Sequence, residues 1–319
     1  MVADGRRTGD TSFWGGLFVK RLVICAASAV MSCSSVVVLA GGTPGAAAAS
    51  TPVANGTFQL APGHSRLRAA DNTMMDKSTN WAGYVQSSTT NHTFTAVSDT
   101  FDVPTADPGA AVGTQYVADW VGIGGFAGRD RTLVQTGIQT ELTTKSKGGP
   151  TTVSYDAWTE TLPQPEKPLA LTLNPGDEVT ASVQQKAKNT WIMTVDDVTT
   201  GQVGTKTVKY HSKGLSAEAI HERPCLRGPC AYSDLATLAQ TSDVTFDPGS
   251  FSESAPGTDP VDVPLLDSIE SGLTLTEVEM TDDDNPPDTI AIASAPSATD
   301  DGFTVADGSS PPPPPPPTG

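Results

Sequence analysis

The feature that most limits what this chain can fold into is a repeated pattern of short Val- and Thr-rich runs, broken by turn residues and sustained from 78 to 306. The runs NWAGYVQ (80–86), TFTAVSDTFDV (93–103), TQYVADWVGIGG (114–125) and RTLVQTGIQT (131–140) read as strands. So do TTVSYDAWTE (151–160), DEVTASVQQ (177–185), TWIMTVDD (190–197), GTKTVKYH (204–211) and SAEAIHE (216–222). TSDVTF (241–246), LTLTEVEM (273–280) and DTIAIAS (288–294) complete the set. NPGD (174–177), TTGQ (199–202) and KGG (147–149) supply turns between several of them. Strands joined by short polar breaks bury their apolar faces against one another, which predicts an all-β sandwich or barrel of antiparallel sheets. The one helical candidate is SDLATLAQ (233–240), a short segment at most. A chain of 319 residues is long enough for one large β-domain or two small ones, and it shows no internal repeat.

The two ends read differently. Residues 1–49 have the make-up of an export signal: Arg6, Arg7, Lys20 and Arg21 precede or flank the apolar stretch LVICAASAVMSCSSVVVLAGG, and GAAAAS (45–50) offers cleavage sites. Gly, Ser and Cys dilute that stretch, so removal is expected rather than retention as a membrane anchor. Residues 50–77, with Pro52, Pro62 and Gly63, read as a pro-segment or a disordered leader, and 78–306 as the folded domain. Pro311 to Pro317 are an unbroken proline run that cannot join a sheet, so 307–319 reads as a disordered tail. The expected location is extracellular, with the tail a candidate tether to the cell wall of a bacterium.

Charge and cysteines exclude several functions. A net charge of -17 and a pI near 4.4 argue against nucleic acid or an anionic membrane as partner, since both would be repelled. Cys25 and Cys33 fall in the export segment, whereas Cys225 and Cys230, in RPCLRGPC, are spaced for a small disulfide hairpin. His64, His92, His211 and His221 are scattered, with no HExxH or CxxC spacing, so neither a metal nor a cofactor is expected. The acidic run at 282–284 beside NPP could bind calcium but reads better as a solvated turn. No G-x-S-x-G motif is present to support a serine mechanism.

Alternation sorts the faces of two strands. In RTLVQTGIQT, Val134 and Ile138 point one way, while Leu133, Gln135, Gly137 and Gln139 point the other. In SYDAWTETL, Asp156, Trp158 and Glu160 share a face. A face bearing Gln, Asp, Trp and Glu resembles the floor of a groove. Taken singly, each residue has a duller reading: Gln135 as solvated surface, Glu222 as a surface ion pair with Arg223, Trp120 and Trp158 as core.

Five segments in this order, STNWAGYV (78–85), ADWVGIGG (118–125), LVQTG (133–137), YDAWTE (155–160) and SAEAIHE (216–222), resemble the glutamic peptidases, or eqolisins. The resemblance implies a two-sheet antiparallel β-sandwich, a concanavalin-like jelly roll with a concave substrate groove. It implies a secreted acid endopeptidase, monomeric and free of cofactors, acting on protein or peptide substrates. Gln135 and Glu222 take the catalytic positions, and Trp81, Trp120, Asp156, Trp158 and Glu160 line the groove. A carboxylate can take a proton from water and pass it to the departing amine, while a glutamine amide can donate to the developing oxyanion. Glu218 shares a face with Glu222, and only the motif match chooses between them. Four positions depart from the family: Gly124 and Gln139 stand where acidic residues are common, Leu162 where some members carry Tyr, and Ala219 where an aromatic is common. These departures are expected to change the groove's polarity and shape. The competing reading is a carbohydrate-binding or carbohydrate-hydrolysing sandwich using Glu160 and Glu222, although the E-x-D-x-x-E strand signature of one such group is absent. A third is a binding module without catalysis.

Overall fold

Runs of β-branched and aromatic residues become strands here because each can pair on both sides while its apolar side chains leave water. The computed structural model describes residues 65–68 and 73–317, apart from 91, 108–111, 127, 129, 228–229, 255–260 and 268–271. The export segment and most of the leader lie outside these residues. In chain order the strands are β1 (Ser65–Arg68), β2 (Met74–Ser78), β3 (Trp81–Ser88), β4 (Thr93–Asp102), β5 (Gly113–Gly124), β6 (Leu133–Thr144) and β7 (Thr151–Thr161). They continue with β8 (Lys167–Pro168), β9 (Glu178–Ala187), β10 (Thr190–Asp197), β11 (Gln202–Lys209), β12 (Ser216–Glu222) and β13 (Thr237–Leu238). The last are β14 (Val244–Phe246), β15 (Ser250–Ser254), β16 (Val261–Pro264), β17 (Leu273–Thr281), β18 (Thr289–Ala293) and β19 (Phe303–Asp307).

The pairings build two layers. One runs β2–β17–β3–β12–β5–β6–β7–β8. The other runs β16–β15–β4–β9–β10–β11. The path β17–β18–β19–β14–β4 joins them at one edge. All these pairs are antiparallel except β2 beside β17, and β13 joins β5 in parallel. The fold is therefore the expected all-β sandwich. Its core lies between the layers. Val117, Val121, Val134 and Ile138 come from the first, and Val97, Phe101, Val179, Val183, Trp191 and Met193 from the second.

The segment 233–240 is not helical. Tyr232–Asp234 makes a single 3₁₀ turn, and Thr237–Leu238 then pairs with Gln115 and Tyr116. Eight residues are too few to nucleate a stable helix alone, and Ala236 and Leu238, two apart, bury themselves as strand residues do. The proline run forms no ladder; Pro315 is buried and most of its neighbours are exposed.

Two features of the first layer set its stability. Gly137 lies directly across from Trp120, and a Cβ there would collide with the Asp119 carbonyl oxygen and the Trp120 backbone. Gly137→Ala is expected to cost about 1–3 kcal/mol by overpacking, read as a lowered urea midpoint. Gly128→Ala, with open space around the added carbon, is the control.

The second feature is His221, on the core-facing side of β12. Its Nδ1 lies 2.7 Å from Asp119 Oδ1 and its Nε2 3.6 Å from Asp307 Oδ1. Burial opposes its charge, but the two aspartates prevail and push its pKa up to about 10. The unfolded value is about 6.5, so the folded state binds this proton more tightly. The resulting stability is complete below about pH 6.5 and is lost as pH rises through about 10. Urea titrations of His221→Gln are expected to show a large loss against the parent in acid and a gap that closes with rising pH.

Candidate active site

The register places the candidate residues on one face of the first layer, in three rows across β3, β12, β5, β6 and β7. One row reads Trp81, Glu222, Ala118, Gln139, Asp156. The next reads Gly83, Ile220, Trp120, Gly137, Trp158, and the third Val85, Glu218, Gly122, Gln135, Glu160. The alternate residues Ala217, Ala219, Val121, Ile138 and Ala157 face the interlayer core. On the candidate face Trp81, Trp120 and Trp158 cluster with Leu133, Phe126 and Leu162. Trp81 and Trp120 meet edge to face, 5.0 Å between centroids at 77°. The tryptophans are thus core-like in burial and yet lie on the polar face.

Glu222 has no accessible surface. Asn80 Nδ2 donates to its Oε1 at 2.8 Å and Trp120 Nε1 to its Oε2 at 2.9 Å. Ser78 orients Asn80: its hydroxyl donates to Asn80 Oδ1 at 3.0 Å and accepts the backbone N–H groups of Asn80 and Trp81. That leaves the Asn80 amide nitrogen turned to the carboxylate. Burial raises the Glu222 pKa well above the usual carboxylate range, and the charge of Glu160 raises it further. The N–H donors of Trp120 and Asn80 draw it partly back.

Gln135 sits directly opposite Glu160 in the ladder, and its Nε2 donates to Glu160 Oε2 at 2.6 Å. Gln135 and Glu222 stand in different rows, with Trp120 in the row between. What links the two halves is Glu160, which holds the amide and lies close enough to Glu222 to shift it. Asp156 ends the Glu222 row, half-buried, its carboxyl raised by burial and partly lowered by Ser154.

Glu218 shares the row of Gln135 across Gly122, but its surroundings differ from those of Glu222. Both its oxygens are buried without a hydrogen-bond partner, and burial holds its pKa well up, reinforced by the charge of Asp130. The ion-pair reading of Glu222 with Arg223 fails. Arg223 turns away, donating through Nη2 to the Thr79 carbonyl at 2.8 Å and lying 5.2 Å over the Tyr232 ring. Just beyond, Cys225 and Cys230 form the expected disulfide, with Cα atoms 5.5 Å apart.

Loops fix the rims. Tyr210 accepts the Leu133 N–H at 2.9 Å and donates to the Leu162 carbonyl at 2.8 Å, pinning the start of β6 to the turn after β7. Burial pushes that phenol up to about 12. Gly124 has φ +95°, and a Cβ would strike the Thr132 carbonyl oxygen, so this departure from the family answers a turn requirement. Ala219 points into the interlayer core, so it does not shape this face, contrary to expectation. Gln139 and Leu162 do lie on it. Sequence reasoning missed Asn80, whose only signal is its place before Trp81 in STNWAGYV.

Other features lie apart. Asp282 Oδ1 accepts the backbone N–H groups of Asp284 and Asp288, closing the acidic turn. A cavity of about 290 Å³ lined by Pro248, Gly249, Ser250, Asp262, Val263, Pro264 and Asp301 contains none of the residues above. Among the described residues no helix is long and apolar enough to cross a membrane.

Known proteins resemble this chain. Aspergillopepsin-2 of Aspergillus niger is 26% identical over 235 residues, 68% of this chain and 79% of that protein. The structure of scytalido-glutamic peptidase with a transition state analog inhibitor aligns with TM-score 0.53 and 23% identity, covering 72% of this chain and 98% of that one. The same enzyme with a peptide based transition state analog gives TM-score 0.52 over the same shares. At such identities the structures speak for the fold. The sequence pattern of the Peptidase A4 family matches residues 79–286, a span holding every residue of the three rows, and the chain belongs to this family of glutamic endopeptidases.

Proposed function

We propose that the protein is a secreted acid endopeptidase in which Glu222 is general base and then general acid, and Gln135 stabilises the oxyanion. The observation that carries this reading is the environment of Glu222: a fully buried carboxyl, held by two N–H donors and raised by Glu160, which in turn holds Gln135. A water placed between Glu222 and the scissile carbonyl gives up its proton to the carboxylate as its oxygen attacks. An amide carries two N–H donors, and one from Gln135 meets the oxygen as it gains charge while the other stays on Glu160. Glu222 then returns the proton to the leaving nitrogen. Trp81, Trp120, Trp158 and Asp156 flank an extended peptide. Export by residues 1–49, a pro-segment or leader over 50–77 whose last residues pair with β17 as β2, and a proline tail after 306 complete the proposed organisation, with the enzyme acting as a monomer. Membership of a peptidase family leaves the carbohydrate reading without support.

Digestion of denatured casein across acid pH tests the assignment. Gln135→Ala is expected to lose roughly a hundred- to thousandfold in kcat, the worth of one oxyanion donor, and Glu222→Gln roughly 10²–10⁴-fold. Glu218→Gln, on the same face, is expected to retain activity; full activity in Glu222→Gln would overturn the dyad.

The pH profile offers a separate check. Glu222 must be ionised to accept a proton, so the acid limb follows its raised pKa. Removing the Glu160 charge takes away one cause of the raised value. Glu160→Gln is therefore expected to shift the acid limb of kcat to lower pH, along with a reduced kcat from the altered support of Gln135.

A further inference from the structure

The turn between β2 and β3 carries Asn80, the donor to Glu222 Oε1, and this turn is fastened from two sides. From within, the Ser78 hydroxyl has one proton to donate and two lone pairs, and all three are engaged. It donates to Asn80 Oδ1 at 3.0 Å and accepts the N–H groups of Asn80 at 3.2 Å and Trp81 at 3.1 Å. A side-chain amide can turn over and exchange its oxygen with its nitrogen. The Ser78 proton decides between the two: with Oδ1 engaged, Nδ2 meets the carboxylate, whereas the turned amide would set oxygen against oxygen. From the other side, Arg223 donates its backbone N–H to the Asn80 carbonyl at 2.9 Å and Nη2 to the Thr79 carbonyl at 2.8 Å. Its side chain is buried, with the guanidinium over the Tyr232 ring. Burying a charge is costly, and here the charge is spent on a carbonyl of the turn that serves Glu222.

We infer that Ser78 and Arg223 are positioning residues for Glu222, the first setting the amide of Asn80 and the second the turn that carries it. The inference rests on the reading of Glu222 as general base. Ser78 ends β2 and Arg223 follows the last residue of β12, so the ends of two strands far apart in sequence fix one donor. The charged or titratable groups on the face of Glu222 are Glu160 and Asp156 from β7, Asp76 from β2 and Glu218 on β12 itself. Trp81, Trp120, Gln135 and Gln139, from β3, β5 and β6, are neutral, while His221 and Asp119 pair on the opposite face. A donor to the ionised form lowers a carboxyl's pKa, and Asn80 is one of those that draw Glu222 down. Loosening Asn80 therefore raises the Glu222 pKa further and moves the acid limb of kcat to higher pH.

The test follows ionisation of Glu222 by carbon NMR of enzyme isotopically labelled at its glutamate carboxyls, the signal being assigned by its loss in Glu222→Gln. The acid limb of kcat is measured on the same enzymes, and urea midpoints show which of them are folded. Ser78→Ala and Arg223→Met are expected to raise both pH midpoints by about half to one unit, the worth of a weakened bond to a charged group. On the acid limb this lowers kcat about three- to tenfold, with KM little changed. Ser78→Thr, which keeps the hydroxyl, is expected to restore the parent midpoints, and Arg223→Lys, which keeps a donor, to shift less than Arg223→Met. Where Arg223→Met does not fold, Arg223→Lys carries the test, with a shift of the same sign. In an Asn80→Ala background neither substitution is expected to add a shift, because both act through that amide. Folded variants whose Glu222 titration stays at the parent value, or shifts that add in full to that of Asn80→Ala, overturn the positioning role. A carboxyl signal that moves while the acid limb stays in place supports the positioning role and refutes Glu222 as the base.

Discussion

A carboxyl group with no accessible surface in the middle of a sheet is unfavourable unless its surroundings provide donors. The first layer is organised around that requirement at Glu222. Trp120 and Asn80 meet its two oxygens from β5 and from the turn before β3, so the group joins three segments of chain. Each donor is fixed in turn, Asn80 by Ser78 and Trp120 by the glycine opposite it. The carboxyl does not find a cation, and Arg223, the nearest in sequence, serves the chain entering β3 instead. The result is a group whose protonation is governed by burial and by one neighbouring carboxylate, which suits an acid and base better than a simple ion pair would.

The same strands hold two separate environments. On β12, Ala217 and Ala219 close the interlayer core and His221 is clamped by aspartates, while Glu218, Ile220 and Glu222 look the other way. Strict alternation makes this possible, and every residue of β12 is buried as a consequence. Both faces must therefore be specified, one for the interlayer core and one for the row of buried polar groups, and a single-residue slip in register would exchange them.

Much of this was readable in the sequence, for identifiable reasons. TWIMTVDD and SAEAIHE have the bounds of β10 and β12, because their alternation is unbroken and turn residues or prolines bracket them. The opposed faces of Val134 and Gln135, and of Ala157 and Trp158, follow from the same two-residue period. β6 runs on to Thr144, past the charged Glu141, because Tyr116 and Ser154 pair with that residue on either side, and such pairing leaves no mark in a single strand. The segment 233–240 misled by composition, since its Leu and Ala residues favour a helix that tertiary pairing overrode. Asn80 was hidden for a different reason: its partner is 142 positions away, and an amide before a strand looks like any turn residue. Gln135 and Glu222 needed the resemblance, because their residue types are common on solvated strands.

Tyr210 links parts of the molecule that sequence order keeps apart. It follows β11, an edge strand of the second layer, yet its hydroxyl holds the start of β6 and the turn after β7 in the first. Trp191, on β10, donates to the Tyr210 carbonyl at 3.1 Å and so anchors the residue from the interlayer core. The rim beside Glu160 is thus a cantilever clamped from the far layer. Any outward swing of that rim must unseat a phenol from two backbone groups at once, which couples access at one end of the sandwich to the integrity of a hairpin in the opposite layer.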